Sequence, residues 1–218
     1  MKNVSDISLN GKKVLIRVDF NVPLDDHFNI TDDSRIKAAL PTVNKIIKDG
    51  GKAIIMSHLG RPKNGFEEKF SLKHVIKQLS KLLDTEVGFS IDCIGENTLT
   101  DISKMKNGEV LVLENLRFYS EEEAGNDDFA RQLSKLGDVY INDAFGTAHR
   151  SHASTSIIAN YFPNNKYFGL LLSNEISSLE TALKNPKRPF TTIIGGSKIT
   201  GKIDAITSLL DKVDNLII

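Results

Sequence analysis

Cys93 is the only cysteine in this chain of 218 residues. A disulfide framework within one chain is thereby excluded, and a structural zinc site loses its usual ligands. Net charge is also missing. Lys+Arg and Asp+Glu both number 28, so nothing in the overall balance calls for nucleic acid or an acidic membrane surface as a partner. A strong anion site would have to be built locally, by gathering cations at one place. Long apolar runs are absent too. Val110–Leu113 is among the longest, far below the ~20 residues that a membrane-spanning helix needs. The first residues, Met1-Lys2-Asn3-Val4-Ser5-Asp6, contain no apolar signal segment, and a cytoplasmic location is the expectation. There is no internal repeat and no low-complexity tract.

What is present suits a soluble globular protein: 40% hydrophobic and 26% charged residues. At about 150 residues per domain, the length corresponds to one domain and a substantial piece of another. Short apolar runs of strand length recur: Val14-Leu15-Ile16-Arg17-Val18, Ala53-Ile54-Ile55-Met56, Val110-Leu111-Val112-Leu113, Val139-Tyr140-Ile141, Thr192-Ile193-Ile194 and Leu216-Ile217-Ile218. A strand apolar on both faces is covered on both faces, as in a parallel sheet flanked by helices. Val87, Phe89 and Ile91 alternate instead with small or polar residues, the pattern of an edge strand. Helical patterns lie between the runs. Ser71 caps a stretch with Leu72, Val75, Ile76, Leu79, Leu82 and Leu83 on one face. A second helix is expected from a Thr31 or Asp32 cap to about Lys48, stopped by Gly50-Gly51 and kinked at Pro41. Residues 126–136 and 173–183 read as two more. The alternation predicts a doubly wound α/β sheet. Residues 162–167 read as a link. A new strand-helix-strand unit begins near Arg188 and ends within what reads as a buried strand, so the chain is expected to be a fragment of a longer one.

Ligands of open parallel sheets bind beyond the carboxyl ends of the strands, so the residues after each run carry the chemistry. They are Asp19-Phe20-Asn21, then Ser57-His58-Leu59-Gly60-Arg61, then Glu114-Asn115-Leu116-Arg117, then the run from Asn142 through Asp143 to His149-Arg150. Arg35 can join them from the first turn of a helix, where the backbone already favours an anion. In a neutral protein this gathering of arginines points to a phosphorylated or carboxylated ligand, because guanidinium groups bind such anions through paired hydrogen bonds. Asp19 and Asn21 are suited to reading hydroxyls.

Other signals are weaker. Gly195-Gly196-Ser197-Lys198-Ile199-Thr200-Gly201-Lys202 follows a strand and opens a helix, a fitting place to meet a phosphate chain, but it lacks the P-loop order of residues. His149 and His152 lack a third ligand type, so no metal site is expected. Glu121-Glu122-Glu123 reads as a solvated loop. Tyr161, Phe162, Tyr167 and Phe168 read as packing around the link, and His27 and His74 as surface residues.

At these positions the sequence resembles the phosphoglycerate kinase family. The resemblance is carried by Arg17-Val18-Asp19-Phe20-Asn21-Val22-Pro23, Thr31-Asp32-Asp33-Ser34-Arg35, Ser57-His58-Leu59-Gly60-Arg61-Pro62, Glu114-Asn115-Leu116-Arg117-Phe118, Asn142-Asp143-Ala144-Phe145-Gly146-Thr147-Ala148-His149-Arg150 and Gly195-Gly196-Ser197-Lys198. It implies a Rossmann-like parallel sheet with helices on both faces, a three-layer αβα arrangement, and the truncated start of a second α/β domain. It implies a triose-phosphate domain over 1–170, an interdomain helix and hinge over 171–187, and an incomplete nucleotide domain over 188–218. The implied reaction is reversible phosphoryl transfer between 1,3-bisphosphoglycerate and ADP, giving 3-phosphoglycerate and ATP, with Mg2+ carried by the nucleotide.

By matching position, Asp19, Phe20, Asn21, His58, Leu59, Gly60 and Arg61 would line the triose site, and Arg117 and Arg150 would hold the non-transferred phosphate. Arg35 and Lys198 would stabilise charge on the transferring phosphoryl, and Lys202 would contact the nucleotide phosphates. Gly201 stands where many members carry aspartate and Asn174 where several carry lysine. The fragment alone is expected to be an inactive monomer whose partners are these small molecules. The alternative is a non-catalytic phosphosugar or anion-binding module. A nicotinamide-dependent enzyme is disfavoured, because Asp19-Phe20-Asn21-Val22-Pro23 stands where Gly-x-Gly-x-x-Gly would follow the first strand.

Overall fold

The computed structural model describes residues 3–63, 65–184, 186–195 and 203–218. The chain divides into two compact units, Met1–Ser173 and Asn174–Ile218. In the first, six strands form one sheet: β1 (Lys13–Arg17), β2 (Lys52–Met56), β3 (Val87–Ser90), β4 (Val110–Leu113), β5 (Val139–Asn142) and β6 (Lys166–Phe168). Their order is β3-β4-β2-β1-β5-β6 and every pairing is parallel. The helices between them are α1 (Ser34–Lys48), α2 (Lys73–Leu83), α3 (Glu96–Lys104), α4 (Ser120–Glu123) and α5 (Asp127–Ser134).

Both faces of the sheet are buried, as the apolar runs imply. Val14, Ile16, Ala53, Ile55, Val110, Val112, Val139 and Ile141 share one cluster with Val43 and Ile46 of α1 and Val75 and Leu79 of α2. The alternate residues, Leu15, Ile54, Met56, Leu111, Leu113 and Tyr140, pack in a second cluster with Ile102 of α3 and Phe129, Ala130 and Leu133 of α5. The strand period of two thus splits each run between two cores.

Local signals place the helix ends. Asp32 accepts from the Ser34 amide at 2.9 Å, so the helix expected from 31 or 32 begins at Ser34. It runs unbroken through Pro41, and Gly50 leaves it at a φ of +78°. Ser71 Oγ accepts from the Lys73 amide at 3.3 Å ahead of α2. The Asn126 side chain caps α5 through the Phe129 amide at 2.9 Å.

Three readings are corrected. The link at 162–167 runs into β6, which extends the sheet beside β5, and Phe162 is buried against Tyr140 with ring centroids 5.8 Å apart. Glu121–Glu123 is not a solvated loop: it belongs to α4, and Glu122 is fully buried. The edge strand β3 ends at Ser90, leaving Ile91 exposed, and α3 follows where no helix was expected.

Helix α6 (Leu170–Lys184) starts three residues before its expected position. Its first turn is held from β5 and α1. Asp143 Oδ1 accepts from the Leu172 amide at 3.1 Å, and Thr42 Oγ1 accepts from the Leu170 amide at 2.9 Å. In the second unit β7 (Thr191–Ile193) and β8 (Asn215–Ile217) pair in parallel, with α7 (Ile203–Leu210) between them in sequence. Residues 196–202, which include Lys198, Gly201 and Lys202, lie outside the described residues.

Because the sheet has no solvated face, Ile54→Ala and Ile55→Ala, neighbours that enter opposite cores, should each cost about 2–5 kcal/mol. Urea denaturation checks this; a near-neutral effect at either position would contradict the two-core arrangement.

Candidate functional site

The four strands whose ends carry the candidate residues are contiguous in the sheet, in the order β4-β2-β1-β5. Four loops from distant parts of the sequence therefore emerge side by side at one edge. Each is pinned by its neighbours. Ser57 Oγ accepts from the Phe20 amide at 2.8 Å and donates to the Val18 carbonyl at 2.9 Å. Asn21 Oδ1 accepts from the Gly60 amide at 2.8 Å, and the Gly60 carbonyl accepts from Arg117 Nη1 at 2.9 Å. Asn115 Nδ2 donates to the Leu59 carbonyl at 2.7 Å and to the Phe70 carbonyl at 2.9 Å. Gly60 sits at a φ of +63°, and the Phe70 ring fills the space that a Cβ there would need.

Beneath these loops lies a layer of buried carboxylates. Glu114 accepts from Ser71 Oγ at 2.7 Å, from the Leu72 amide at 2.8 Å and from the Asn115 amide at 2.7 Å, which anchors the start of α2 to the end of β4. Glu122 accepts from Ser154 Oγ at 2.6 Å and from the Ser154 amide at 2.9 Å. Ser154 Oγ in turn accepts from Arg17 Nε at 2.9 Å. Arg17 is only 1% exposed. Its other nitrogens reach the Val18 carbonyl and, at 3.1 Å, Nδ1 of His58.

Above that layer is the cation cluster. Arg35, on α1, is exposed and meets Asp19 Oδ2 at 2.5 Å. Arg117 is largely buried; its Nη2 meets Glu123 at 3.0 Å. Arg150 is half-buried at the end of the β5 loop and Arg61 is exposed beside Gly60; neither guanidinium has a hydrogen bond or ion pair among the described residues. His58 is buried and its pKa is pushed down to about 2, first by burial and then by Arg17, Arg117, Arg150 and Arg35. The ring is therefore neutral, and the 4.0 Å approach of its Nδ1 to Asp19 is not an ion pair. Burial also holds Arg117 below the ordinary arginine range despite Glu123, with Arg150 and Arg17 adding repulsion. Several like charges in one low-dielectric place repel one another, and an incoming polyanion would relieve that repulsion.

Of the residues named from sequence, Asp19, Asn21, Arg35, His58, Gly60, Arg61, Arg117 and Arg150 lie on or beside this edge. Phe20 and Leu59 turn their side chains into the core, so only their backbones are available to a ligand. His152 is buried, with Nδ1 4.0 Å from Glu122, and burial lowers its pKa; His149 is exposed. Glu114 was named from sequence only as part of a strand end, and Arg17 only as a charge inside an apolar strand run; Glu122 and Ser154 were not anticipated as part of the site.

The family profile that matches this sequence, over residues 4–218, is that of phosphoglycerate kinase. The chain belongs to the phosphoglycerate kinase family. A phosphoglycerate kinase of Chlorobium phaeobacteroides is 54% identical over 217 residues, which cover 100% of this chain and 54% of the relative. One from Porphyromonas gingivalis is 50% identical over 239 residues, 99% of this chain and 57% of the relative. Among solved structures, phosphoglycerate kinase from Coxiella burnetii superposes with a TM-score of 0.86 at 40% identity, over 98% of this chain and 53% of that one. The Pyrococcus horikoshii enzyme gives 0.87 at 34% identity, over 99% and 54%. The chain thus spans about half the length of the phosphoglycerate kinases it matches.

The neutral state of His58 has a thermodynamic consequence. An unfolded histidine takes up a proton near about pH 6.5, whereas the folded ring does not until about pH 2. Its contribution to stability is complete above about pH 6.5 and declines as pH falls from there toward 2. Wild type should lose about 2 kcal/mol more than His58→Gln between about pH 7 and about pH 5 in urea denaturation. Equal losses would mean that the ring is protonated in the fold.

Proposed function

We propose that this chain carries the phosphoglycerate-binding half of a phosphoglycerate kinase, whose full-length form transfers a phosphoryl group reversibly between 1,3-bisphosphoglycerate and ADP to give 3-phosphoglycerate and ATP. The observation that carries the reading is the arginine cluster around neutral His58 at the sheet edge. Residues 1–170 form the triose-phosphate domain in this reading, 171–187 the interdomain helix and hinge, and 188–218 the beginning of the nucleotide domain.

The proposed roles follow from charge and position. Arg117, Arg150 and Arg61 hold the phosphate that is not transferred. Asp19 and Asn21 orient the hydroxyl and carboxylate end, with Asn21 itself fixed by the Gly60 amide. The backbones of Phe20 and Leu59 shape the walls. Arg35, exposed and tethered among the described residues only to Asp19, is free to follow negative charge onto the migrating phosphoryl. Lys198 and Lys202, from the segment outside the described residues, would meet the same phosphoryl and the nucleotide phosphates. Such a reaction needs positioning and charge neutralisation more than covalent help. In this reading Mg2+ arrives with the nucleotide; among the described residues no group of three His, Cys, Asp or Glu is placed to hold a metal. No helix among the described residues is long and apolar enough to cross a membrane.

The test joins this chain to a C-terminal half of the length its relatives have and follows ATP formation from ADP and 1,3-bisphosphoglycerate. Absence of turnover with retained 3-phosphoglycerate binding would leave a non-catalytic anion-binding module. Arg35→Ala should lower kcat by on the order of 100-fold while changing 3-phosphoglycerate affinity far less; equal losses in both would refute a transition-state role. Glu123→Gln, which frees Arg117 Nη2, should tighten 3-phosphoglycerate binding by about twofold to fivefold in calorimetry.

A further inference from the structure

Arg17 and Glu122 are buried charges that the proposed reaction does not use. Among the described residues they are joined through Ser154, and the hydrogens in that chain have forced directions. An ionised carboxylate can only accept, so the single Ser154 hydroxyl hydrogen goes to Glu122 at 2.6 Å. The Ser154 oxygen is then left to accept from Arg17 Nε at 2.9 Å. A guanidinium can only donate, so Arg17 Nη2 donates to His58 Nδ1 at 3.1 Å. His58 is neutral and its Nδ1 is occupied as an acceptor, so the ring hydrogen must sit on Nε2.

We propose that Ser154 and Glu122 are positioning residues of the phosphoglycerate site: by holding Arg17 they fix His58 as the Nε2–H tautomer, a neutral hydrogen-bond donor within the arginine cluster. The inference rests on the proposed function for its ligand but not for its tautomer. The opposite tautomer would present a lone pair at Nε2, which repels an anion where the present one attracts it. A protonated ring would add a further positive charge to the cluster. The network avoids both, and it ties the site to α4, since Glu122 also accepts the Ala153 amide through its carbonyl at 3.0 Å. The segment 152–155 thus carries the hydroxyl that orients Arg17 and follows directly on the loop that ends at Arg150. His152, whose pKa burial lowers, stands 4.0 Å from Glu122, farther than the 2.6 Å of the Ser154 hydroxyl.

The experiment is nitrogen-15 NMR of the His58 imidazole together with calorimetry of 3-phosphoglycerate binding. In wild type the Nε2–H tautomer is expected; an Nδ1–H signal there would overturn the proposal without any variant. Ser154→Ala should give a mixture of tautomers and weaken 3-phosphoglycerate binding by about tenfold, and Ser154→Thr should restore both. In a His58→Ala background, Ser154→Ala should change affinity by no more than about twofold, because its effect passes through the ring. An unchanged tautomer in folded Ser154→Ala, or the same tenfold loss without His58, would show that the network serves the fold alone. Should wild type bind no 3-phosphoglycerate, the proposed function fails, while the tautomer result still decides the network.

Discussion

A guanidinium buried at the end of a central strand is the constraint around which the rest of this molecule is arranged. Arg17 sits where β1 leaves the sheet, shielded from water, and burial holds it below its ordinary range. A charge in that position survives only with its hydrogen bonds made and a counter-charge at hand. Glu122 provides the counter-charge through Ser154, and Asp19 adds to it from the loop above. Three segments far apart in sequence are thus obliged to meet: the end of β1, helix α4 and the stretch after Arg150.

The same logic runs through the other loops. Glu114 is buried yet accepts three hydrogen bonds, two of them at the start of α2. Asn115 and Arg117, from the same strand end, bond the carbonyls of Leu59 and Gly60. Polar groups are therefore spent on fixing loops in the inner layer, and cations are left over in the outer one. Arg61 and Arg150, without partners among the described residues, and Arg35, with only an exposed ion pair, are the groups available to a ligand. Rigid below and cationic above is the arrangement that an anion site needs if it is not to reorganise on binding.

How much of this could be read in the sequence depended on the distance over which each feature is decided. The strands were legible because Val14–Ile16, Ala53–Met56 and Val110–Leu113 are apolar on both faces, a local property. Arg61, Arg117, Arg150 and His58 were legible because they lie in the segments that follow strand runs, and Arg35 because it lies in the first turn of a helix. Lys166–Phe168 was not, since three residues carry no period, and α3 was not, since only Thr98 and Ile102 on it are buried. Glu122 was misread for a more general reason. Three consecutive glutamates look solvated, and what makes the middle one a core residue is Ser154, 32 positions later. Phe20 and Leu59 show the converse: they sit inside ligand-like motifs, yet their side chains belong to the core.

The order of the sheet, β4-β2-β1-β5, has a kinetic side. Arg17 is in register with Met56 on one flank and Asn142 on the other. Neither pairing is local, and parallel strands close slowly because the loop entropy is lost before the contacts form. The arginine cluster consequently has no existence in a half-made sheet: chain folded as far as β4 holds the first three loops but lacks the fourth, with Arg150 and the Ser154 hydroxyl that orients Arg17. In the proposed function, affinity for the anion therefore requires β5 to be paired with β1, and a chain without that pairing lacks the site.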